Sequence, residues 1–274
     1  MKNSTPQVVT IAGSDSGGGA GLQADLKTFQ ARHVFGMSIV VALTAQNTLG
    51  VQESLPVPCE FVDAQFASLG DDFAIRAAKT GMLADTAHVQ TVVKNLQTYN
   101  FGPLVVDPVM IAKGGHPLLS NDAIQTIQTE LLPLATVVTP NLPEAEVLIG
   151  QQITSEAEMI RAAATLQQFG VKNVVMKGGH LEGTEASDFV LLETGEQFWL
   201  RAPRQTTKNT HGTGDTFSSC IVAELAKGVS MKEAIITAKA YIQGAITEGI
   251  FVGHGHGPTN HWAKLSTEIR IEPV

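Results

Sequence analysis

Short apolar runs alternate along this chain with longer stretches whose apolar residues recur at helical spacing. Residues 8–12 form one such run, rich in β-branched side chains, and lead into a glycine-rich loop at 13–21. Beyond the loop, Leu22, Leu26 and Phe29 fall at i, i+4 and i+7, the stripe of a helix with one buried face. The same short runs return at 38–44, 74–79, 104–107, 137–139 and 173–177, and most of the stretches between them read as helices, for example 86–96 and 155–169. Repeated strand-helix units predict a mainly parallel sheet covered on both faces. At 187–192 and 197–200, separated by Glu193-Thr194-Gly195-Glu196, the pattern becomes that of a hairpin, which predicts antiparallel strands at one sheet edge. Helices over 216–227 and 231–248 close the core. No repeat, low-complexity tract or long linker interrupts the pattern, so the 274 residues are read as a single α/β domain over 1–274.

Composition narrows the function. With 18 Lys+Arg against 26 Asp+Glu the net charge is −8, so no broad basic surface is available for a nucleic-acid backbone or an anionic membrane. A content of 43% hydrophobic and 16% charged residues supports a sizeable core rather than a disordered chain. The two cysteines, Cys59 and Cys220, lack C-x-x-C spacing and suit a reducing compartment. The first residues have no signal-peptide pattern, and the longest apolar stretch, near 37–45, falls far short of the ~20 residues that span a bilayer, so the expected location is the cytoplasm. An exposed strand edge such as the hairpin is a surface on which two copies could pair as a homodimer.

Two glycine clusters stand where a strand hands over to a helix. The first, Gly13-Ser14-Asp15-Ser16-Gly17-Gly18-Gly19-Ala20-Gly21, lets backbone approach a ligand closely and offers free N–H groups at the helix start. It is not a Walker A loop, because no Gly-Lys-Ser/Thr follows, and Leu22 stands where the last glycine of G-x-G-x-x-G would fall. A tight turn with several positive-φ residues would use the same glycines. The second, Asn209-Thr210-His211-Gly212-Thr213-Gly214-Asp215-Thr216, sets a carboxylate among glycines at a helix start. The amides of Gly212, Thr213, Gly214 and Asp215 make a candidate anion hole for a transferring phosphoryl group, with Asp215 where an incoming hydroxyl must lose its proton. Because that transfer has a loose transition state, an ordinary carboxylate is an adequate acceptor. An Asp capping a helix after a glycine turn gives the same residues.

Asp107, Asn141 and Glu144 follow directly on predicted strands, at the sheet end where open α/β folds bind ligands. They are hard oxygen donors suited to Mg²⁺, directly or through water, and each is also a common turn or cap residue. Lys177 ends the 173–177 run, either as a phosphate contact or as a solvated strand-end lysine. His254 and His256, two residues apart with no third ligand nearby, read as a flexible loop rather than a metal site. His211 reads as positional, Met82 as core or pocket wall, and Cys220 as buried on its helix.

The opening stretch Ala12-Gly13-Ser14-Asp15-Ser16-Gly17-Gly18-Gly19-Ala20-Gly21-Leu22-Gln23-Ala24-Asp25-Leu26-Lys27-Thr28 is followed in order by Lys79-Thr80-Gly81-Met82, Asp107-Pro108-Val109 and His211-Gly212-Thr213-Gly214. Over its whole length the chain resembles the ribokinase-like small-molecule kinases. Within them it is similar to the hydroxymethylpyrimidine/phosphomethylpyrimidine kinases of thiamine synthesis and their relatives that phosphorylate pyridoxal. The resemblance implies a ribokinase-like fold and an enzyme using ATP and Mg²⁺ to phosphorylate the hydroxymethyl group of a small nitrogen heterocycle. It implies that Gly13, Ala20 and Asp25 line the ring, that Gln46 hydrogen-bonds the pyrimidine edge, and that Met82 and Val109 pack on its faces. It further implies that Asp107, Asn141 and Glu144 lie near the phosphates and Mg²⁺, with Asp107 and Glu144 holding the metal. Lys177 and Thr210 would contact ATP, and 212–215 would supply anion hole and base. Many members of the subgroup carry Cys where this chain has Asp215, whereas Asp is usual in the wider superfamily and in the better-known pyridoxal kinases. Gln46 favours a pyrimidine, since an amide both donates and accepts, and Asp215 leaves pyridoxal or pyridoxine as the alternative substrate. A non-catalytic nucleotide- or vitamin-binding regulator is the remaining reading.

Overall fold

Strands in which Val and Ile occupy successive positions bury both faces only inside a sheet covered on two sides. In the computed structural model, which describes residues 5–110, 119–179 and 183–274, ten strands make one such sheet. β1 (Gln7–Gly13), β2 (Phe35–Asn47), β4 (Ile75–Thr80), β5 (Leu104–Val106), β6 (Val137–Val138) and β7 (Asn173–Met176) form its parallel centre. β3 (Gly50–Pro56), β8 (Glu185–Leu191), β9 (Gln197–Pro203) and β10 (Arg270–Pro273) are antiparallel to their neighbours. The order across the sheet is β10-β9-β8-β7-β6-β5-β4-β1-β2-β3.

Alternate side chains of the central strands feed two separate cores. Val9, Ile11, Ala78, Val106, Val138 and Val174 face one side, where α2 (Cys59–Asp72), α3 (Thr86–Thr98), α4 (Asn121–Thr126), α5 (Leu142–Ile149) and α6 (Glu156–Gln168) pack. Val8, Ala77, Val105, Val137 and Val175 face the other, covered by α1 (Gly21–Ala31), α7 (Thr213–Ala226) and α8 (Met231–Thr247). Helix starts follow the expected chemistry: the side chains of Asp85, Ser155 and Ser230 accept hydrogen bonds from the backbone N–H three residues on. Helix α7 begins at Thr213 rather than 216, because Gly212 at φ 77° makes the turn that lets the helix start inside the glycine cluster.

The sheet departs from expectation at its margins. Antiparallel strands flank both edges rather than one, since β2 extends to Asn47 and pairs with β3. All seven residues of β3 are exposed, so it has no buried stripe to betray it in the sequence. The hairpin of β8 and β9 is not an edge either, because β10 pairs along β9 from Arg201 to Phe198. An edge left for another chain is that of β3. No helix among the described residues is long and apolar enough to cross a membrane.

Phe66 of α2 is fully buried and stacks on Phe101 at a ring separation of 5.8 Å. Phe66→Ala is expected to lower the free energy of unfolding by about 3–5 kcal/mol, read from the urea midpoint at unchanged slope.

Candidate active site

Strand β1 lies between β2 and β4, so successive connections leave it in opposite directions and open a crevice at the strand ends. Gly13 donates its N–H to the Met82 carbonyl at 3.1 Å, and Gly81 donates to the Ile11 carbonyl at 3.0 Å, which binds the loops after β1 and β4 together. A Cβ on Gly13 would come within 2.6 Å of the Met82 methyl carbon, so a side chain there would have to displace the end of Met82 where these two candidate residues meet.

The first glycine loop folds around its own aspartate. Asp15 is buried, its Oδ1 accepts from the Gly17 amide (2.8 Å), and its Oδ2 accepts from the amides of Gly19 (3.0 Å) and Ala20 (2.8 Å). The amides of Gly17, Gly19 and Ala20 are therefore not free for a ligand, while those of Gly21, Leu22 and Gln23 at the start of α1 precede its first helical bond, from the Ala24 N–H to the Ala20 carbonyl. His211 Nε2 donates to Asp15 Oδ2 at 2.9 Å, which ties the second glycine loop to the first, and the Gln46 side-chain amide at the end of β2 packs 3.2 Å from the same nitrogen. Burial pushes the Asp15 carboxyl up, but His211 and the amides of Ala20 and Gly17 outweigh it and hold it below the usual carboxylate range. Gln46 is half-buried, and Thr44 Oγ1 donates to its Oε1 at 3.2 Å.

The second loop presses against the first. A Cβ on Gly212 would lie 1.9 Å from the Gly19 carbonyl oxygen and 3.1 Å from Ala20 Cα. The first intrahelical bond of α7 runs from Thr216 N–H to the Gly212 carbonyl, so the amides of Thr213, Gly214 and Asp215 precede the helical ladder. Over them sits an ion pair: Lys177 Nζ is 3.1 Å from Asp107 Oδ1, and a Cβ on Gly214 would be 3.2 Å from both Lys177 Nζ and Asp107 Oδ2. Thr139 Oγ1 (3.3 Å) and Ser218 Oγ (3.4 Å) also donate to Asp107. Burial pulls the Lys177 ammonium down, but Asp107 and Glu144 outweigh it and keep it charged. Behind it, Gly178 N–H donates to Asp188 Oδ1 at 3.1 Å, and Asp188 pairs with buried Lys239, which fixes the backbone after β7.

A second cation lies deeper. Lys79 is fully buried at the end of β4, 2.8 Å from Asp25 Oδ1 and 2.9 Å from Asp215 Oδ1. Asp25 also accepts from Thr10 Oγ1 and Ser219 Oγ, both at 2.6 Å. Asp25 thus departs from the expected ring-lining role: it has no exposed surface, and both its oxygens are taken from within the core.

Asn141 and Glu144 form the capping box of α5. Asn141 Oδ1 accepts from the Glu144 amide at 2.9 Å, and Glu144 Oε2 accepts from the Asn141 amide at 2.8 Å. The Asn141 side-chain oxygen is therefore engaged at the helix start, while among the described residues its Nδ2 keeps both donor hydrogens for a ligand. Glu144 is 4% exposed, and its carboxyl is pushed up to about 7 by burial, with neighbouring Asp107 and Asp215 adding to the effect and Lys177 opposing it. Among the described residues no three His, Cys, Asp or Glu side chains cluster closely enough to hold a metal by themselves.

Gly13, Ala20, Gln46, Met82, Asp107, Lys177 and 212–215 thus converge on one crevice. Val109 is half-buried two residues past Asp107, and Thr210 joins the second loop by accepting from Thr213 Oγ1 at its carbonyl (3.2 Å). His254 and His256 are exposed, yet their loop is tied down: their amides and that of Gly255 donate to Thr48. Sequence reasoning passed over Asp15, the hub of the first loop, and Lys79, whose signal was a lysine next to last in a buried parallel strand.

A family model described as phosphomethylpyrimidine kinase matches residues 15–260. The chain belongs to this family. A hydroxymethylpyrimidine/phosphomethylpyrimidine kinase of Haemophilus influenzae is 52% identical over 94% of this chain and 97% of its own length. The enzyme of that name from Bacillus subtilis is 44% identical over 94% and 95%. Among solved structures, the pyridoxal kinase from Staphylococcus aureus in complex with AMP-PCP and pyridoxal superposes with a TM-score of 0.90 at 33% identity, covering 99% of this chain and 100% of that one. The phosphomethylpyrimidine kinase from Clostridium difficile superposes at 0.77 with 41% identity, covering 88% and 98%. The phosphomethylpyrimidine kinase family model begins at Asp15, the residue that closes the first loop.

Gly212→Ala forces the loops apart where the Gly19 oxygen leaves no room for a Cβ. Turnover in this variant is expected to fall about 10²-fold with far-ultraviolet circular dichroism unchanged, measured by coupled ADP release.

Proposed function

We propose that this chain transfers the γ-phosphoryl group of ATP to the hydroxymethyl group of hydroxymethylpyrimidine, or to the phosphate group of its monophosphate. The observation that carries the reading is the start of α7, where Asp215 and three unladdered amides lie beneath the Lys177–Asp107 pair. With the alcohol as acceptor, its O–H bond breaks with the proton passing to Asp215. Its oxygen forms the new bond to phosphorus, and the bond to ADP breaks with the electron pair leaving on ADP. The amides of Thr213, Gly214 and Asp215 and the α7 dipole stabilise the charge on the transferring group, and Lys177 offsets charge on the nucleotide phosphates.

Asp107 and Glu144 suit Mg²⁺ held chiefly through phosphate oxygens and water, since they are hard donors but too few to cage the ion. When bound, the ion supplies charge neutralisation at the phosphates. In the first loop the amides of Gly17, Gly19 and Ala20 are already bonded to Asp15, which suits an uncharged ring beside them. Gln46 offers an amide to the ring edge, with Thr44 fixing its oxygen.

Pyridoxal or pyridoxine is the second reading, favoured by the close superposition on a pyridoxal kinase. The pyrimidine is preferred because identity is 44–52% to the pyrimidine kinases of Bacillus subtilis and Haemophilus influenzae and 33% to that pyridoxal kinase.

Asp215→Asn is expected to retain the fold and nucleotide binding while kcat falls by about 10²-fold or more; near-normal turnover removes Asp215 from the mechanism. In a coupled assay with ATP and Mg²⁺, hydroxymethylpyrimidine or its monophosphate is expected to exceed pyridoxal and pyridoxine in kcat/KM by about tenfold, roughly 1.4 kcal/mol of transition-state binding. The reverse ranking makes the chain a vitamin B6 kinase with the same chemistry.

A further inference from the structure

Lys79 is the least expected charge in the molecule. It has no exposed surface, it follows two buried alanines in its strand, and it touches two carboxylates, one from α1 and one from α7. Burying an ammonium and two carboxylates gives little net stability, because desolvation offsets most of the attraction. A purely apolar contact among β4, α1 and α7 would hold these elements as well. The placement of the three groups relative to the crevice is more informative. Asp25 lies at the inner end, bonded by Thr10, Ser219 and Lys79, while Asp215, whose side chain is 15% exposed, lies at the outer end.

We infer that Lys79 is a positioning residue for phosphoryl transfer. It grips Asp215 by Oδ1, leaving Oδ2 to receive the proton of the alcohol, and is itself fixed by Asp25. The inference rests on the reading of Asp215 as the proton acceptor. Among the described residues no side chain bonds Asp215 Oδ2, whereas Oδ1 is held at 2.9 Å by a cation that cannot move, since its other contacts are 2.8 and 3.0 Å to the two oxygens of Asp25. A carboxylate fixed by one oxygen has one torsional arrangement in which the other is presented, and this is the orientation effect by which enzymes gain rate. The trio carries one net negative charge, which is cancelled when Asp215 takes the proton.

The charges around Asp215 are Lys79 from β4, Asp25 from α1, Asp107 at the end of β5, Glu144 from α5, Lys177 after β7 and His261 from the C-terminal segment. Burial works against the Lys79 ammonium, but Asp215, Asp25 and Asp107 outweigh it and hold it charged. Burial pushes His261 down to about 4, so it is neutral and adds no compensating cation. Removing Lys79 therefore leaves Asp215 with Lys177 as its remaining charged cation in that set, and Lys177 is already engaged by Asp107.

The test compares Lys79→Met with the double variant Lys79→Met/Asp25→Asn. The single change strands a buried carboxylate on Asp25 and can unfold the protein; the double change removes one charge of each sign and leaves the net charge of the trio unchanged. In the folded double variant, kcat is expected to fall about tenfold or more with the KM for ATP within about twofold. A merely structural role would lower the melting temperature while leaving kcat of the folded protein unchanged. Wild-type kcat in the folded double variant overturns the inference. Asp215→Asn measured alongside separates the two failures: if it is inactive while the double variant is normal, only the role of Lys79 falls, and if it is active, the reading of Asp215 falls with it.

Discussion

A buried ammonium must be met by carboxylates at hydrogen-bond distance, and Lys79 imposes that demand where three elements cross. Strand β4 carries the cation, α1 brings Asp25, and α7 brings Asp215 together with Ser219, so the two helices must lie on the same face of the sheet and meet at its carboxyl end. The strand order satisfies this: β1 sits beside β4, and the helix after β1 returns over that face to β2. Helix α7 then fills the remaining space, buried at Thr216–Glu224 without a break, with its amino end against the first glycine loop. The crevice is thus a consequence of the sheet order, and its charges are the residues that sheet order brings into contact.

The two glycine loops look alike in sequence but are opposite in electrostatic character. In the first, a buried aspartate consumes the amides of Gly17, Gly19 and Ala20. In the second, Asp215 points to Lys79 instead of back to its own loop, and the amides at the start of α7 stay outside the helical ladder. The turn of the first loop is thus spent on its own aspartate, and the second loop is the one proposed to hold the transferring phosphoryl group. His211, bonded to Asp15 across the gap, holds the two at a fixed separation, and the glycines at 19 and 212 allow backbone to touch backbone there.

Much of this was legible in the sequence because buried parallel strands and amphipathic helices have distinct periods. The runs at 8–12, 74–79 and 173–177 become β1, β4 and β7, and the closing helices fall within a few residues of α7 and α8. What escaped was what has no period. β3 is exposed at every position and β10 at three of four, so β10's pairing with β9, bridged by Arg201 and Glu272 at 2.6 Å, has no buried stripe to announce it. At the site, positions were readable from their places after strands, but partners were not. Asn141 and Glu144 satisfy each other as a helix cap, and Asp25 turns inward, because which groups meet depends on side-chain direction rather than on spacing.

Fold and substrate are governed by different residues, which explains why the chain superposes closely on a pyridoxal kinase while its sequence lies nearer the pyrimidine kinases. On the proposed mechanism, sheet order, α7 and the Lys177–Asp107 pair serve phosphoryl transfer to a primary alcohol delivered to Asp215. On the same reading ring choice falls to the few groups on the crevice wall that are neither core nor phosphate-facing, among them Gln46, whose side chain carries both a donor and an acceptor. Its amide lies between Thr44 of its own strand and His211 of the second loop. The proposed ring contact thus packs against the proposed phosphate loop, so a change in ring preference has to keep or rebuild the contact between the loops.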